Sequence, residues 1–161
     1  MSAEQRPMIQ RPITSNADAV VVIGLVPRFY LGAIFGIAAY GKIFSAHGYV
    51  EAVRSFLTGP MVTNAPAWYA SFVYTTVLPN ISTVATLTVG AEICIALSLL
   101  LGLFTRLGAA VAIYLFINYM FAKGSSIWNP ASNDAADIML AYVVVMTGPG
   151  RIFGLDKLLT R

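Results

Sequence analysis

Residues 81–122 read ISTVATLTVGAEICIALSLLLGLFTRLGAAVAIYLFINYMFA. From Ile81 to Phe104 a single charge, Glu92, interrupts an apolar run; the turn Thr105 and Arg106 follows, and Leu107 to Ala122 carry none. A bilayer core takes about 20 apolar residues per helix. The pattern therefore predicts two membrane-crossing helices, and so short a link makes them antiparallel neighbours.

Upstream, Ala19 to Ile43 is a further apolar block, opened by the helix-start cluster Ser15, Asn16 and Asp18. It is too long for the core of a signal peptide and is expected to stay as an anchor. Residues 1–18 form a polar N-terminal extension with Glu4, Arg6 and Arg11. Pro27 predicts a kink in the first span, and Gly32 and Gly36 make a small-residue face that lets another helix approach closely. From Tyr49 to Leu57, Tyr49, Val50, Val53, Phe56 and Leu57 share one helical face while Glu51 and Arg54 share the other. That predicts a short amphipathic helix in the membrane interface, ended by Gly59 and Pro60. Trp68, Tyr69, Phe72 and Tyr74 favour the headgroup boundary. An unbroken helix from Pro66 to Phe104 would be about 58 Å long against a core of about 30 Å, so a break is predicted at Pro79 and Asn80. After Lys123 and Gly124 a polar loop holds Trp128, Asn129 and Pro130, and a last span ends at Gly148 and Pro149.

The expected fold is thus all-α: a membrane four-helix bundle with spans at about 19–43, 81–104, 107–122 and 133–148, an additional interfacial amphipathic helix within 48–78, and a cytoplasmic tail over 149–161. Of 161 residues 58% are apolar and 11% are charged, against roughly a quarter charged in soluble domains. The net charge of +3 comes from basic residues scattered along flanks, so nucleic acid is not expected as a partner. Arg6, Arg11, Arg106, Arg151, Lys157 and Arg161 lie on one side of such a bundle and Lys42, Arg54 and Lys123 on the other. The positive-inside rule then places both termini in the cytoplasm, with the chain in the cytoplasmic (inner) membrane.

Chemistry is sparse. Cys94 is the sole thiol and His47 the sole imidazole, which excludes an intrachain disulfide relay and a bis-histidine haem. No nucleophile triad, phosphate loop or iron–sulfur spacing is present, and one narrow bundle without an inverted repeat argues against a transporter. Asp134 and Asp137 are expected in the first turn of the last helix, where carboxylates favour the dipole; no histidine or cysteine completes a metal set beside them. Cys94 reads as a small packing residue, Lys42 and Arg106 as side chains reaching for headgroups, and Trp68, Tyr69 and Trp128 as interfacial anchors.

Arg28 and Glu92 are the ionisable residues deepest in apolar segments, about 13 Å and about 18 Å from the same side. Each needs a partner there. They are expected to meet, with Asn118 able to join them. Two readings stay open: a clamp between the first two helices, or a proton-coupled quinone site with Arg28 on a quinone oxygen and Glu92 passing protons. The absence of any further acid or histidine to continue a relay favours the clamp.

The run Gly90, Ala91, Glu92 through Leu99, Leu100, Leu101, Gly102, Leu103, Phe104, Thr105, Arg106, Leu107 and Gly108 resembles the E…LLLGLFTRLGA stretch of the DoxX family. Arg28, Gly32, Gly41 and Lys42 match that family's R…G…GK pattern, and Gly148, Pro149, Gly150, Arg151, Leu155 and Asp156 are similar to its GPGR…LD tail. The resemblance implies a four-helix membrane fold and a link to membrane redox systems: relatives are subunits associated with a terminal quinol oxidase, thiosulfate:quinone oxidoreductase subunits, and members of complexes with oxidative-stress proteins. The segment between Ile43 and Ile81 looks more elaborate than the family pattern. The expectation is an accessory, structural subunit of a larger respiratory or photosynthetic electron-transfer complex, without activity of its own. The alternative is a quinone-reactive oxidoreductase subunit using Arg28 and Glu92. Expected partners are membrane lipids and larger membrane subunits. No covalent or metal cofactor is expected, while apolar grooves would suit a lipid, quinone or pigment.

Overall fold

The computed structural model describes residues 16–59, 64–126 and 132–159; the expectations for residues 1–15, Pro60, Trp128, Asn129 and Pro130 lie outside them. Among the described residues the chain is helical and has no strand. Helices α1 (Asn16–Ile23) and α2 (Leu25–Ile43) are followed by α3 (Tyr49–Thr58), α4 (Ala67–Phe72), α5 (Ile81–Leu101), α6 (Thr105–Lys123), α7 (Asp134–Thr147) and the single turn α8 (Asp156–Leu159). Three helical runs are long and apolar enough to cross a membrane: Ala19–Ile43, Ala67–Leu101 and Thr105–Lys123. Pro27 falls in the first turn of α2, where a missing N–H has no intrahelical partner to lose.

α2, α5, α6 and α7 pack around one core built from Leu31, Phe35, Ile95, Leu99, Ala109, Ala112, Phe116, Ala141 and Val144. The Phe35 and Phe116 rings lie 4.9 Å apart at its centre. Small residues set the spacing. A Cβ on Gly32 would stand 3.0 Å from the Leu100 side chain, and one on Gly36 would stand 3.8 Å from the Ala96 Cβ. The glycine face of the first span therefore seats α5 of the same chain.

Pro79 does not end the helical run. The chain passes from α4 through a π-helical turn, Val73–Val77, and a 3-10 turn, Leu78–Asn80, into α5. These irregular turns accommodate a proline that has no N–H to give. At Asn80 the backbone leaves helical values (φ −111, ψ 26), and its side-chain amide donates to the Thr76 carbonyl at 2.9 Å. A straight helix would carry Tyr69 roughly 28 Å past the level of Asn118 on the antiparallel α6, yet the Tyr69 hydroxyl donates to the Asn118 carbonyl at 3.2 Å. The run therefore bends sharply at this junction and α4 returns alongside α6, with the Trp68 and Phe121 rings 5.2 Å apart. The residues predicted to separate two elements make a bend between joined ones.

α3 closes over this arm. Val53 and Leu57 are buried with Tyr69, Val73, Val77, Ile81, Ala85 and Ala122 in a second core, and the Tyr49 hydroxyl meets Thr86 Oγ1 at 3.2 Å. On the far face Glu51 pairs with Arg54 at 3.3 Å.

Candidate functional site

Arg28 and Glu92 are both buried, 2% and 0% exposed, but they do not pair. Arg28 sits near the end of the helices: Nη1 donates to the Phe153 carbonyl and Nη2 reaches the Leu100 carbonyl at 3.5 Å. Leu100 and Glu92 are eight residues apart on α5, about 12 Å along the axis. Depth counted from Ala19 misplaced the arginine, because the end of the helix assembly on that side is set by the Gly102–Phe104 turn and α1 projects past it. The Asp156 carboxylate accepts from the Phe104 and Thr105 amides at 2.6 and 3.0 Å, and its own amide donates to the Gly102 carbonyl at 2.8 Å. The residues resembling GLFTR and GPGR…LD thus join turn and tail, with Arg28 as the tie from α2 and Asp156 as the cap of α6.

Glu92 belongs to a different centre. Its Oε1 accepts from Lys42 Nζ at 2.6 Å and from the Tyr119 hydroxyl at 2.6 Å, while Oε2 is buried without a hydrogen-bond partner. Lys42, expected at the headgroups, instead forms a salt bridge to this carboxylate, because an unpaired buried acid costs more than a lysine drawn inward. Asn118 does not join the centre; its side-chain amide donates to the Tyr114 carbonyl one turn back, at 2.8 Å. Cys94, read as a small packing residue, is exposed.

Two cavities meet at Tyr119. One, of about 500 Å³, is largely apolar and walled by α3, the bent arm, α5 and α6; Phe56, Tyr69, Phe72 and Leu115 face it, and Lys42, Asn118 and Tyr119 are among its few polar groups, with Thr88 and Tyr114. The other, of about 550 Å³, lies between α2, α6 and α7 and is lined by Glu92, Tyr119, Lys123, Asp134, Asp137 and Asn133 among others. Asp134 is held by Lys123 at 2.7 and 2.9 Å and by the Ser132 hydroxyl at 2.7 Å. Its carboxylate thus serves an ion pair between α6 and α7, where the sequence suggested only a helix-dipole role.

Lys42, Tyr119, Lys123 and the buried position of Asp137 were missed in the sequence reading. Tyr119 had a signal: it follows Ala112, Leu115 and Phe116 at helical spacing, which marks the inward face of α6. Lys42 had one only in the GK of the family pattern and Lys123 had none, since a basic residue closing an apolar run reads as an interfacial anchor. No group of three or more histidines, cysteines or carboxylates able to hold a metal occurs among the described residues.

The family model described as DoxX matches residues 23–123, more than half of the chain. No curated protein and no solved structure matches it.

Proposed function

The chain belongs to the DoxX family and is a small integral membrane protein, and from that premise we propose that it is an accessory subunit of a respiratory or photosynthetic electron-transfer assembly that holds a quinone-type ring for partners carrying the redox centres. In this reading α7 completes a four-helix transmembrane domain, α3 lies toward the membrane interface, and both termini face the cytoplasm. The observation that carries it is the apolar cavity ending at Lys42, Asn118 and Tyr119. Ligand sites combine apolar walls with a few placed polar groups. A quinone fits that description: flat, apolar, with two carbonyl acceptors.

Donors remain for those acceptors. The Lys42 ammonium has three protons and gives one to Glu92, and the Asn118 amide has two and gives one to Tyr114. A quinone, when bound, supplies two-electron, two-proton chemistry. The residues would orient the ring against Phe56 and Tyr69, keep bulk water from it, and hold the Tyr119 hydroxyl proton against Glu92 Oε1. Arg28 has no part in this reading, because it is committed to the tail.

In nanodiscs the purified chain is expected to bind a short-chain benzoquinone saturably, read by quenching of its tryptophan fluorescence. Val84→Trp, which fills the cavity, should weaken binding at least tenfold. Uptake that does not saturate, or that ignores Val84→Trp, would remove the site. The chain alone should show no quinone reductase turnover, and in native membranes it should migrate with a larger complex. Robust turnover by the isolated chain would favour an oxidoreductase in its own right. For the topology, reporters placed after Arg161 and within residues 125–132 should lie in opposite compartments, with the first in the cytoplasm.

A further inference from the structure

Around the polar cavity the described ionisable groups do not balance. Lys42 is paired with Glu92, and Lys123 is held by both oxygens of Asp134. Asp137 faces the same space from α7, buried to 6% exposure. Its neighbours are Tyr30 from α2, whose hydroxyl lies close enough to interact with it, Asp134 on its own helix, and Lys123 at the end of α6; Glu92 and Tyr119 line the same cavity. Three carboxylates thus share two ammonium groups, and both ammonium groups are already committed.

Two buried oxygens around this space, Glu92 Oε2 and Asp137 Oδ1, have no hydrogen-bond partner. In a membrane such an atom costs several kcal/mol, so the cavity contents must satisfy it. A space of about 550 Å³ has room for more than a dozen waters at about 30 Å³ each. Water also satisfies Asp137 and Glu92 without a metal, for which the described residues offer too small a donor set. One excess negative charge in a buried site is most cheaply neutralised by a proton. The cavity extends to Asn64 and Asn133, both exposed at the end of the helices that carries Lys123 and the start of α7.

We propose that this cavity is a water-filled proton inlet, entered from the membrane face that carries Asn64 and Asn133, in which Asp137 takes up the proton that Glu92 then exchanges. The step conserves charge. Asp137 gives its proton through water to the unpartnered Glu92 Oε2 and regains one from the water at the mouth, and Glu92 returns a proton to the cavity water as its ion pair with Lys42 re-forms. Among the described carboxyls of the cavity, Glu92, already bonded to Tyr119, is the one with a hydrogen-bonded neighbour that also lines the apolar cavity. The inlet does not depend on what the apolar cavity holds, so its test uses no quinone.

The test uses the full chain in liposomes, with Cys94→Ala as background. Ala38→Cys places a thiol on the cavity wall, and Ile37→Cys places one on the exposed face of the same helix. A small, membrane-impermeant cationic methanethiosulfonate should modify Ala38→Cys at least tenfold faster than Ile37→Cys. It should do so only from the face on which Ser132→Cys is also modified. Infrared spectra of the otherwise native chain should show a protonated-carboxyl stretch that shifts promptly in D2O, fades as pH rises, and is absent in Asp137→Asn. Equal modification of the two thiols, modification from the opposite face, or a carboxyl band that is missing, slow to exchange or retained in Asp137→Asn would overturn the inlet.

Discussion

Lys42→Met is expected to destabilise the protein by about 3–5 kcal/mol, the loss typical of breaking a buried ion pair from one side. The cause is Glu92, which is 0% exposed and would keep a single protein donor, Tyr119, with its charge no longer balanced by an ammonium group. Adding Glu92→Gln removes the stranded charge and should restore most of the loss. Reversible unfolding in mixed micelles, followed by helical circular dichroism, measures all three variants. The same measurement separates the two polar centres. Glu92→Gln combined with Arg28→Lys should show a coupling below about 0.5 kcal/mol, as independent sites do. A Lys42–Glu92 coupling near zero, or a large one between Arg28 and Glu92, would return the molecule to the clamp expected from depth alone.

Gly102→Ala should cost about 3 kcal/mol or more and release the C-terminal tail. Gly102 has φ +68, and a Cβ there would stand 2.6 Å from Gly154 Cα, 2.9 Å from Arg28 Nη1 and 3.2 Å from the Phe153 carbonyl. The left-handed backbone alone costs a side chain about 1–2 kcal/mol, and overpacking against fixed neighbours adds about 1–3 kcal/mol. Gly90→Ala is the control, since it lies within α5, the helix that Gly102 ends, and a Cβ there meets nothing within 4 Å. It should be neutral or slightly stabilising, because alanine favours a helix by about 0.5–1 kcal/mol. Unfolding midpoints give the cost, and limited proteolysis after Gly150 reads the tail. A Gly102→Ala protein as stable and as resistant as Gly90→Ala would show that turn and tail are not locked together.

Much of the molecule follows from the chain alone. Apolar blocks of bilayer length, ended by Gly102 and Gly124, and a shorter one ended by Gly148, all three glycines in left-handed conformation, specify where helices run and stop. That information is local, carried by side-chain hydropathy and by backbone freedom at single residues. The resemblance through Glu92, Gly102–Arg106 and Leu155–Asp156 likewise picked out residues that matter, and it named the family that the match over residues 23–123 shows. Pro79 and Asn80 were legible as an irregularity. Proline forbids a regular ladder in any context, but whether the chain stops, bends or folds back depends on what receives the returning arm, here Asn118 and Phe121.

The pairing of charges belonged to the tertiary structure. Depth along a helix is readable to a few residues, but the azimuth and vertical offset between two helices are set by packing, here Gly32 against Leu100 and Gly36 against Ala96. That offset brings Lys42 level with Glu92 and leaves Arg28 beside the tail. Asp137 shows the same limit: its sequence position suits a helix start, and only the approach of α2 and α6 turns it into a buried acid facing a polar cavity. Hydropathy and turn chemistry are properties of neighbours in the chain, whereas the partner of a buried charge is chosen by whichever helix face arrives opposite it.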